Sequence, residues 1–326
     1  MRALSVRIGR GTQVRVVAKS RRLVWRRKRG IVPYLFIAPY FVVFFAFLLL
    51  PALFGVYASF TDWNILGSPN WIGVENYRVL SDAMMFERAF KNTMMFTLYS
   101  VPPLVVGGLL LAVLFNQPLR GRIFGRVVAF IPFALMVTVV GILWRWIFDQ
   151  NFGLLDYYLT EYGIIDWIDK LGLTEKFQIN RKGKIPWLTK WPLHSVALTT
   201  VWWQIGTNMI IYLAGLQEIP EELYEAAQID GANGVQRFRH ITLPGLQLMH
   251  MFVIPMSVIS SLRVFGQAHV MTGGGPAGRS YTIVQHLYAV GWNNQRMGEA
   301  AAVGVILFAI TFLFTLFQLR FIFKAV

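Results

Sequence analysis

The chain has 326 residues, 56% of them hydrophobic and only 14% charged, against roughly 25% charged in an average soluble domain. With a mean hydropathy of +0.51, a water-soluble fold is excluded, because cores of this size cannot hide so much apolar surface and lipid must cover part of it. The lack of cysteine excludes disulfides, thiolate metal sites and cysteine nucleophiles, while the net charge of +15 points to nucleic acid or to the anionic face of a membrane, depending on where the charges sit.

They concentrate first at the N-terminus, where residues 1–29 carry 11 Lys and Arg and no acid. This basic tail adjoins a 32-residue uncharged stretch, 30–61. That stretch is too long for the core of a cleaved signal peptide. The tail is therefore read as a retained cytoplasmic segment facing anionic lipid, rather than as a targeting leader or a nucleic-acid arm.

Six stretches free of Asp, Glu, Lys and Arg reach the ~18 residues that begin to read as a bilayer-crossing helix. They are 30–61, 92–119, 127–144, 191–217, 240–262 and 300–319. Helix is expected because unpaired backbone groups are costly in hydrocarbon and no alternating barrel pattern occurs. Pro51, Pro102, Pro103, Pro132 and Pro255 lie in or near these stretches, where they are tolerated or kink the helix. The shorter uncharged segments 264–278 and 280–295, rich in Gly, Asn and Gln, read as loop or re-entrant chain. Trp63, Trp71, Trp167, Trp187, Trp191 and Trp292 fall at or between span ends, as interfacial anchors do. The expectation is an all-α integral membrane domain over 30–326, with six spans and both termini in the cytoplasm.

Between the fourth and fifth spans, residues 218–231 look like a short helix with built ends. Pro220 suits the first helical position, Glu221 and Glu222 complement the positive dipole end, and Gly231 suits a left-handed stop. Val235, Phe238 and Ile241 then repeat at helical spacing, which predicts a second short helix ending before Pro244. Together, residues 218–245 form a helix-turn-helix elbow projecting into the cytoplasm. A solvated connecting helix with no partner is the bland alternative, and it suits Glu221 or Glu222 taken alone.

Glu225-Ala226-Ala227, three residues, Gly231, nine residues, Ile241, one residue, Leu243-Pro244 resembles the EAA motif of permease subunits in binding-protein-dependent ABC importers. Further segments are similar to the carbohydrate-uptake branch of maltose and glycerol-phosphate permeases. They are Ser59-Phe60-Thr61-Asp62-Trp63, Trp71-Ile72-Gly73-Val74-Glu75-Asn76-Tyr77, Thr272-Gly273-Gly274-Gly275-Pro276 and Gly298-Glu299-Ala300-Ala301-Ala302. The resemblance implies that Glu225, Ala226, Ala227, Asp230, Gly231, Ile241, Leu243 and Pro244 couple to a separate cytoplasmic ATPase. It further implies two such ATPases holding ATP and Mg, a second permease completing the pore, an extracellular solute-binding protein, and residence in a prokaryotic inner membrane. The chain itself carries no G-x-x-x-x-G-K-[ST] phosphate loop, so it is expected neither to hydrolyse ATP nor to hold a cofactor.

Polar residues inside spans mark a solute path by default. Span four carries Thr200, Gln204, Thr207 and Asn208 along one side, with Trp203 and Tyr212 beside it, and span five carries Ser257, Ser260 and Ser261. Facing polar stripes with aromatic neighbours suit a hydroxyl-rich solute such as a sugar, and the resemblance points to Thr200, Thr207, Ser257 and Ser261. Each hydroxyl taken singly reads equally as helix packing. Arg145 and Arg263 near span ends read as snorkelling cations or as groups that meet an anionic solute. His194, His240, His250, His269 and His286 show no metal-ligand spacing. The alternative to an ABC permease is an ion-coupled secondary transporter, which usually needs an intramembrane carboxylate. The six uncharged stretches supply none. A membrane enzyme would need a nucleophile, an acid–base pair or a metal cluster, and the sequence offers no recognisable set.

Overall fold

The computed structural model describes residues 5–7, 13–15, 32–172 and 184–325. The reading of the basic tail lies outside the described residues except for two short strands. The chain forms two compact units, Met1–Ala52 and Leu53–Val326.

In the first unit, β1 (Ser5–Arg7) pairs antiparallel with β2 (Gln13–Arg15), with Val6 opposite Val14. Each strand is a valine between polar neighbours, the alternation and residue type that favour extended chain. Among the described residues, the all-α expectation therefore holds from residue 32 onward and not for this hairpin. Helix α1 (Val32–Phe44) follows, and a π-turn (Phe45–Leu49) leads into α2 (Leu50–Ala58). The π-turn has a chemical cause: Leu50 donates its N–H five residues back to Phe45 O. The next residue, Pro51, has no N–H and would crowd an α-helical carbonyl.

In the second unit the short α3 (Glu75–Asp82) leads into the long α4 (Met84–Asn116). Helix α4 starts earlier than the uncharged stretch at 92 and takes in Glu87, which pairs with Lys91. The third predicted span is not one rod. Helix α5 (Arg122–Phe130) passes into a 3-10 turn (Ile131–Ala134) and then α6 (Val137–Ile147), with a 103° bend between them. Pro132 ends the α-helical bonding, and Leu135 and Met136 are extended.

Beyond three short helices, α7 (Leu154–Glu161), α8 (Ile164–Lys170) and α9 (Trp187–Lys190), comes α10 (Pro192–Glu218). It packs on α4 so closely that a Cβ at Gly108 would lie 2.7 Å from Asn208 Cβ, the kind of approach small residues allow between membrane helices.

The elbow is α11 (Glu221–Ile229), α12 (Gly234–Arg237), a π-turn (Phe238–Thr242) and α13 (Leu243–Gly245). The helical chain thus runs through Pro244 rather than stopping before it. The reason is the one that operates at Pro51: Leu243 donates to Phe238 O across a widened turn, and the proline comes next. A 71° bend at Leu246 leads into α14 (Gln247–Leu262), so the fifth span starts later than predicted.

The segments read as loop or re-entrant chain contain α15 (Gly266–Thr272) and α16 (Ile283–Tyr288), and α17 (Met297–Ala325) follows. Helix α17 begins before the uncharged stretch at 300 and includes Glu299. This acid is 5% exposed and pairs with Arg296 at 2.6 Å. The long helices are therefore not acid-free, because they extend past the uncharged stretches. Among the described residues, Tyr34–Ala58, Met84–Asn116 and Met297–Gln318 are long and apolar enough to cross a membrane, and the two bent pairs would raise these three to five. Helix α10 is long enough, but its Thr, Trp, Gln and Asn residues make it less apolar, and much of it is buried.

Candidate functional site

Two groups of residues stand out in the second unit, one at the elbow and one at the far ends of α10 and α14. At the elbow, Pro220 takes the N-cap of α11 rather than its first position, with Glu221 and Glu222 in the first turn. The helix ends in a complete Schellman motif: Ala232 N–H donates to Ala227 O (2.8 Å), Gly231 N–H donates to Gln228 O (3.1 Å), and Gly231 is left-handed at φ +80°. A capping box restarts the chain. Asn233 Oδ1 accepts from Gln236 N–H, and Gln236 Oε1 accepts from Asn233 N–H. The hydroxyls of Tyr224 and Thr242, 3.0 Å apart, tie α11 to the π-turn.

This geometry gathers Ala227, Asp230, Gly231 and Ile241 around one cleft of about 390 Å³, together with Arg237 and His240. Glu225 and Ala226 are exposed on α11, outside that cleft. Leu243 and Pro244 instead border a separate groove with Gln247, His250 and Phe314. Ile229 is 87% exposed and Val235 75% exposed on the same elbow, which leaves apolar surface for a partner. The basic run Arg237-Phe238-Arg239-His240 is the sequence signal for the cleft's cationic side, and spacing analysis alone passed over it.

Both stems of the elbow are clamped. A Cβ at Gly245 would lie 2.7 Å from Ile219 Cδ1, and Leu246 is buried with Tyr212, Leu213 and Leu216 of α10 and Val253 of α14. Tyr212 Oη also lies 2.8 Å from His250 Nδ1 of α14. These contacts join the stems of the elbow to α10 and α14.

Those helices meet again at a cavity of about 450 Å³. Thr200, Trp203 and Gln204 of α10 line it with Ser260 of α14, Arg263 and Gln267 of α15. Trp203 donates its indole N–H to Leu135 O (3.2 Å), in the break between α5 and α6, which fixes the ring. The polar residues divide by their bonding. Thr200, 3% exposed, donates back to Val196 O (2.8 Å). Asn208 Nδ2 donates to Leu104 O and to Ser257 Oγ, both at 3.1 Å. Ser261 Oγ lies within bonding distance of Val258 O (2.8 Å) and Thr97 Oγ1 (3.0 Å). Asn208, Ser257 and Ser261 thus join α4, α10 and α14, and they do not line the cavity. Thr207 Oγ1 is buried with no partner among the described residues and is also outside it. By contrast, the side chains of Gln204, Ser260, Arg263 and Gln267 make no hydrogen bond or ion pair among the described residues, and all four line the cavity. Gln267 escaped sequence reasoning because it lies outside the six uncharged spans, in a segment read as loop or re-entrant chain.

On the far side, Asp149 Oδ1 accepts N–H bonds from Asn151 (2.8 Å) and Phe152 (3.0 Å), which hold its carboxyl below the ordinary carboxylate range. Asp156 is buried and accepts the indole N–H of Trp187 at 2.9 Å. Burial outweighs that bond and raises its pKa. Trp187 is thus a packed, bonded residue rather than a lipid anchor. Among the described residues no group of three or more His, Asp or Glu could hold a metal ion.

The family model described as binding-protein-dependent transport system inner membrane component matches residues 85–325. The sn-glycerol-3-phosphate transport system permease protein UgpA of Agrobacterium fabrum is 32% identical, over 91% of this chain and 96% of its own. The arabinooligosaccharides transport system permease protein AraP of Bacillus subtilis is 32% identical over 95% of each. In fold, the chain superposes with a TM-score of 0.72 at 22% identity on a bacterial alginate ABC transporter solved with an alginate pentasaccharide-bound periplasmic protein, covering 89% of this chain and 93% of that one.

Proposed function

This chain belongs to the family of binding-protein-dependent transport system inner membrane components, permease subunits rather than ATPases, and from that premise we propose that it is one membrane-crossing half of an importer for a sugar or related polyol. An extracytoplasmic binding protein delivers the solute, a second permease completes the pore, and two ATPase subunits holding ATP and Mg supply the energy. The chain crosses a prokaryotic inner membrane six times, through Tyr34–Ala58, α4, the bent α5–α6 pair, α10, α14 and α17, with the elbow and both termini in the cytoplasm.

The observation that carries this reading is the clamped elbow. An ATPase that grips α11 and closes on ATP tilts the elbow. Ile219, Gly245 and Leu246 pass the tilt to α10 and α14, and the cavity lies between those helices, with Gln204 about 22 Å along α10 from Ile219. Alternating access then follows from a partner that makes different contacts in each state. The relatives named for glycerol phosphate and arabinooligosaccharides support a polyhydroxylated solute. The motif residues Glu225, Ala226, Ala227, Asp230, Gly231 and Ile241 meet the ATPase, and Trp203 and Gln204 meet the solute.

Co-expression of the tagged chain with the genes beside its own tests the reading. A nucleotide-binding subunit and a second permease are expected to copurify, and the reconstituted assembly is expected to take up solute only with ATP and the binding protein. Uptake by the purified chain alone, driven by an ion gradient, would contradict it.

A further inference from the structure

Among the described residues, the cavity between α10, α14 and α15 carries one cation and no carboxylate. Arg263 is the C-cap of α14, and its backbone N–H is committed to Ser260 O and Ser261 O. Its guanidinium has no counter-ion among the described residues, and Arg263, an exposed residue, lines the cavity with Trp203 and Gln204 of the neighbouring helix. A guanidinium that merely snorkels runs along lipid to a headgroup. Arg263 instead borders a recess with Gln204, Ser260 and Gln267, whose side chains are equally without partners among the described residues. Most other polar residues of α10 and α14 are spent inside the bundle, Thr200, Asn208, Ser257 and Ser261 among them.

Unspent donors in a recess call for acceptors from outside, and an unpaired guanidinium calls for a carboxylate or phosphate, which its planar fork matches in bidentate fashion. The amides and the hydroxyl suit sugar hydroxyls, and the fixed Trp203 ring offers a face for apolar C–H edges. Resting on the importer reading, we propose that the solute is an anionic polyol or saccharide, a sugar acid or a sugar phosphate, and that Arg263 takes its charge within this cavity.

The absence of cysteine from the chain permits a direct test with the full-length protein in nanodiscs. In Ser260→Cys, the introduced thiol stands three residues from Arg263. Its modification rate by a sulfonate-bearing methanethiosulfonate is compared with that by a quaternary-ammonium one. Any change in thiol acidity affects both reagents, so their ratio reports the potential of the cavity. The anionic reagent is expected to be favoured. Adding Arg263→Gln is expected to lower the ratio about tenfold, whereas adding Arg263→Lys retains most of it. Glycerol 3-phosphate or galacturonate at millimolar concentration is expected to slow labelling. Glycerol and galactose are not, and the difference is lost with Arg263→Gln. The two anions distinguish a phosphate from a carboxylate preference. A ratio indifferent to Arg263, or protection equal for charged and neutral solutes, overturns the proposal. Neither result bears on ATPase capture, so the importer reading stands or falls separately.

Discussion

Tyr224 and Thr242, 18 positions apart in the chain, bring their hydroxyl oxygens within 3.0 Å of each other and join α11 to the π-turn. Tyr224→Phe removes this bond while keeping the ring. A neutral bond of this kind contributes about 1 kcal/mol, so ATPase affinity measured by titration is expected to fall about fivefold, with the helical content of the protein unchanged. Unaltered affinity would mean that the clasp is incidental to docking.

Gly231 can be tested through conformation alone. Its φ is +80°, and a Cβ built there meets nothing within 4 Å, so any loss on substitution comes from the backbone and not from crowding. Gly231→Ala is expected to cost about 1 kcal/mol of elbow stability. Gly231→Asn should cost less, and the β-branched Gly231→Val more. ATP-driven uptake should follow that order. A ranking by side-chain volume alone would contradict it.

Asn208 ties three helices at one point, with its amide on Leu104 O of α4 and on Ser257 of α14. Asn208→Ala is expected to lower thermal stability in detergent by about 1 kcal/mol. Asn208→Asp should be more harmful, because it places a carboxylate against a carbonyl oxygen. If Asn208→Ala abolished uptake at full stability, Asn208 would have to be reassigned to solute contact.

Asp156 supplies a pH signature. Its folded-state pKa is raised by burial, so the folded protein binds that proton more tightly than the unfolded chain does. The stability it lends is full below the ordinary carboxylate value and declines as pH rises through the raised one. Asp156→Asn keeps an acceptor for Trp187 and removes the ionisation. The variant is expected to melt higher than the parent near neutral pH, with the gap closing on acidification. A gap independent of pH would rule this origin out.

The elbow was legible in the sequence because its chemistry is local. Paired acids and a glycine needing positive φ each act within one or two turns, and the structure realises the glycine as a Schellman stop, whereas Pro220 moves to the N-cap, the helical chain runs past Pro244 and the capping box of Asn233 and Gln236 was not foreseen. The breaks in spans three and five were not legible. Whether Pro132 or Leu246 bends a helix depends on what replaces the lost bonds, and that is decided by neighbours distant in sequence. The π-turns before Pro51 and Pro244 follow the same logic, since a widened turn lets a helix pass a proline that periodicity would treat as a stop. The polar stripe of α10 was visible as a stripe. Its division into bonded residues such as Asn208 and unspent ones such as Gln204 needed the positions of α4, α14 and α15. Gln267 shows the same limit, because only the packing of α15 brings it to the cavity.

The most direct test of the account is crosslinking from the elbow in the assembled transporter. A single thiol introduced by Ile229→Cys, at a position 87% exposed on the elbow, is expected to crosslink to a nucleotide-binding subunit at a rate that changes with ATP. The same thiol at Phe308, exposed on α17, is expected not to react with that subunit. Labelling of the elbow thiol only by reagents added to the extracytoplasmic side, with no crosslink to any nucleotide-binding protein, would contradict the claim that the elbow is the handle by which ATP turnover moves this bundle.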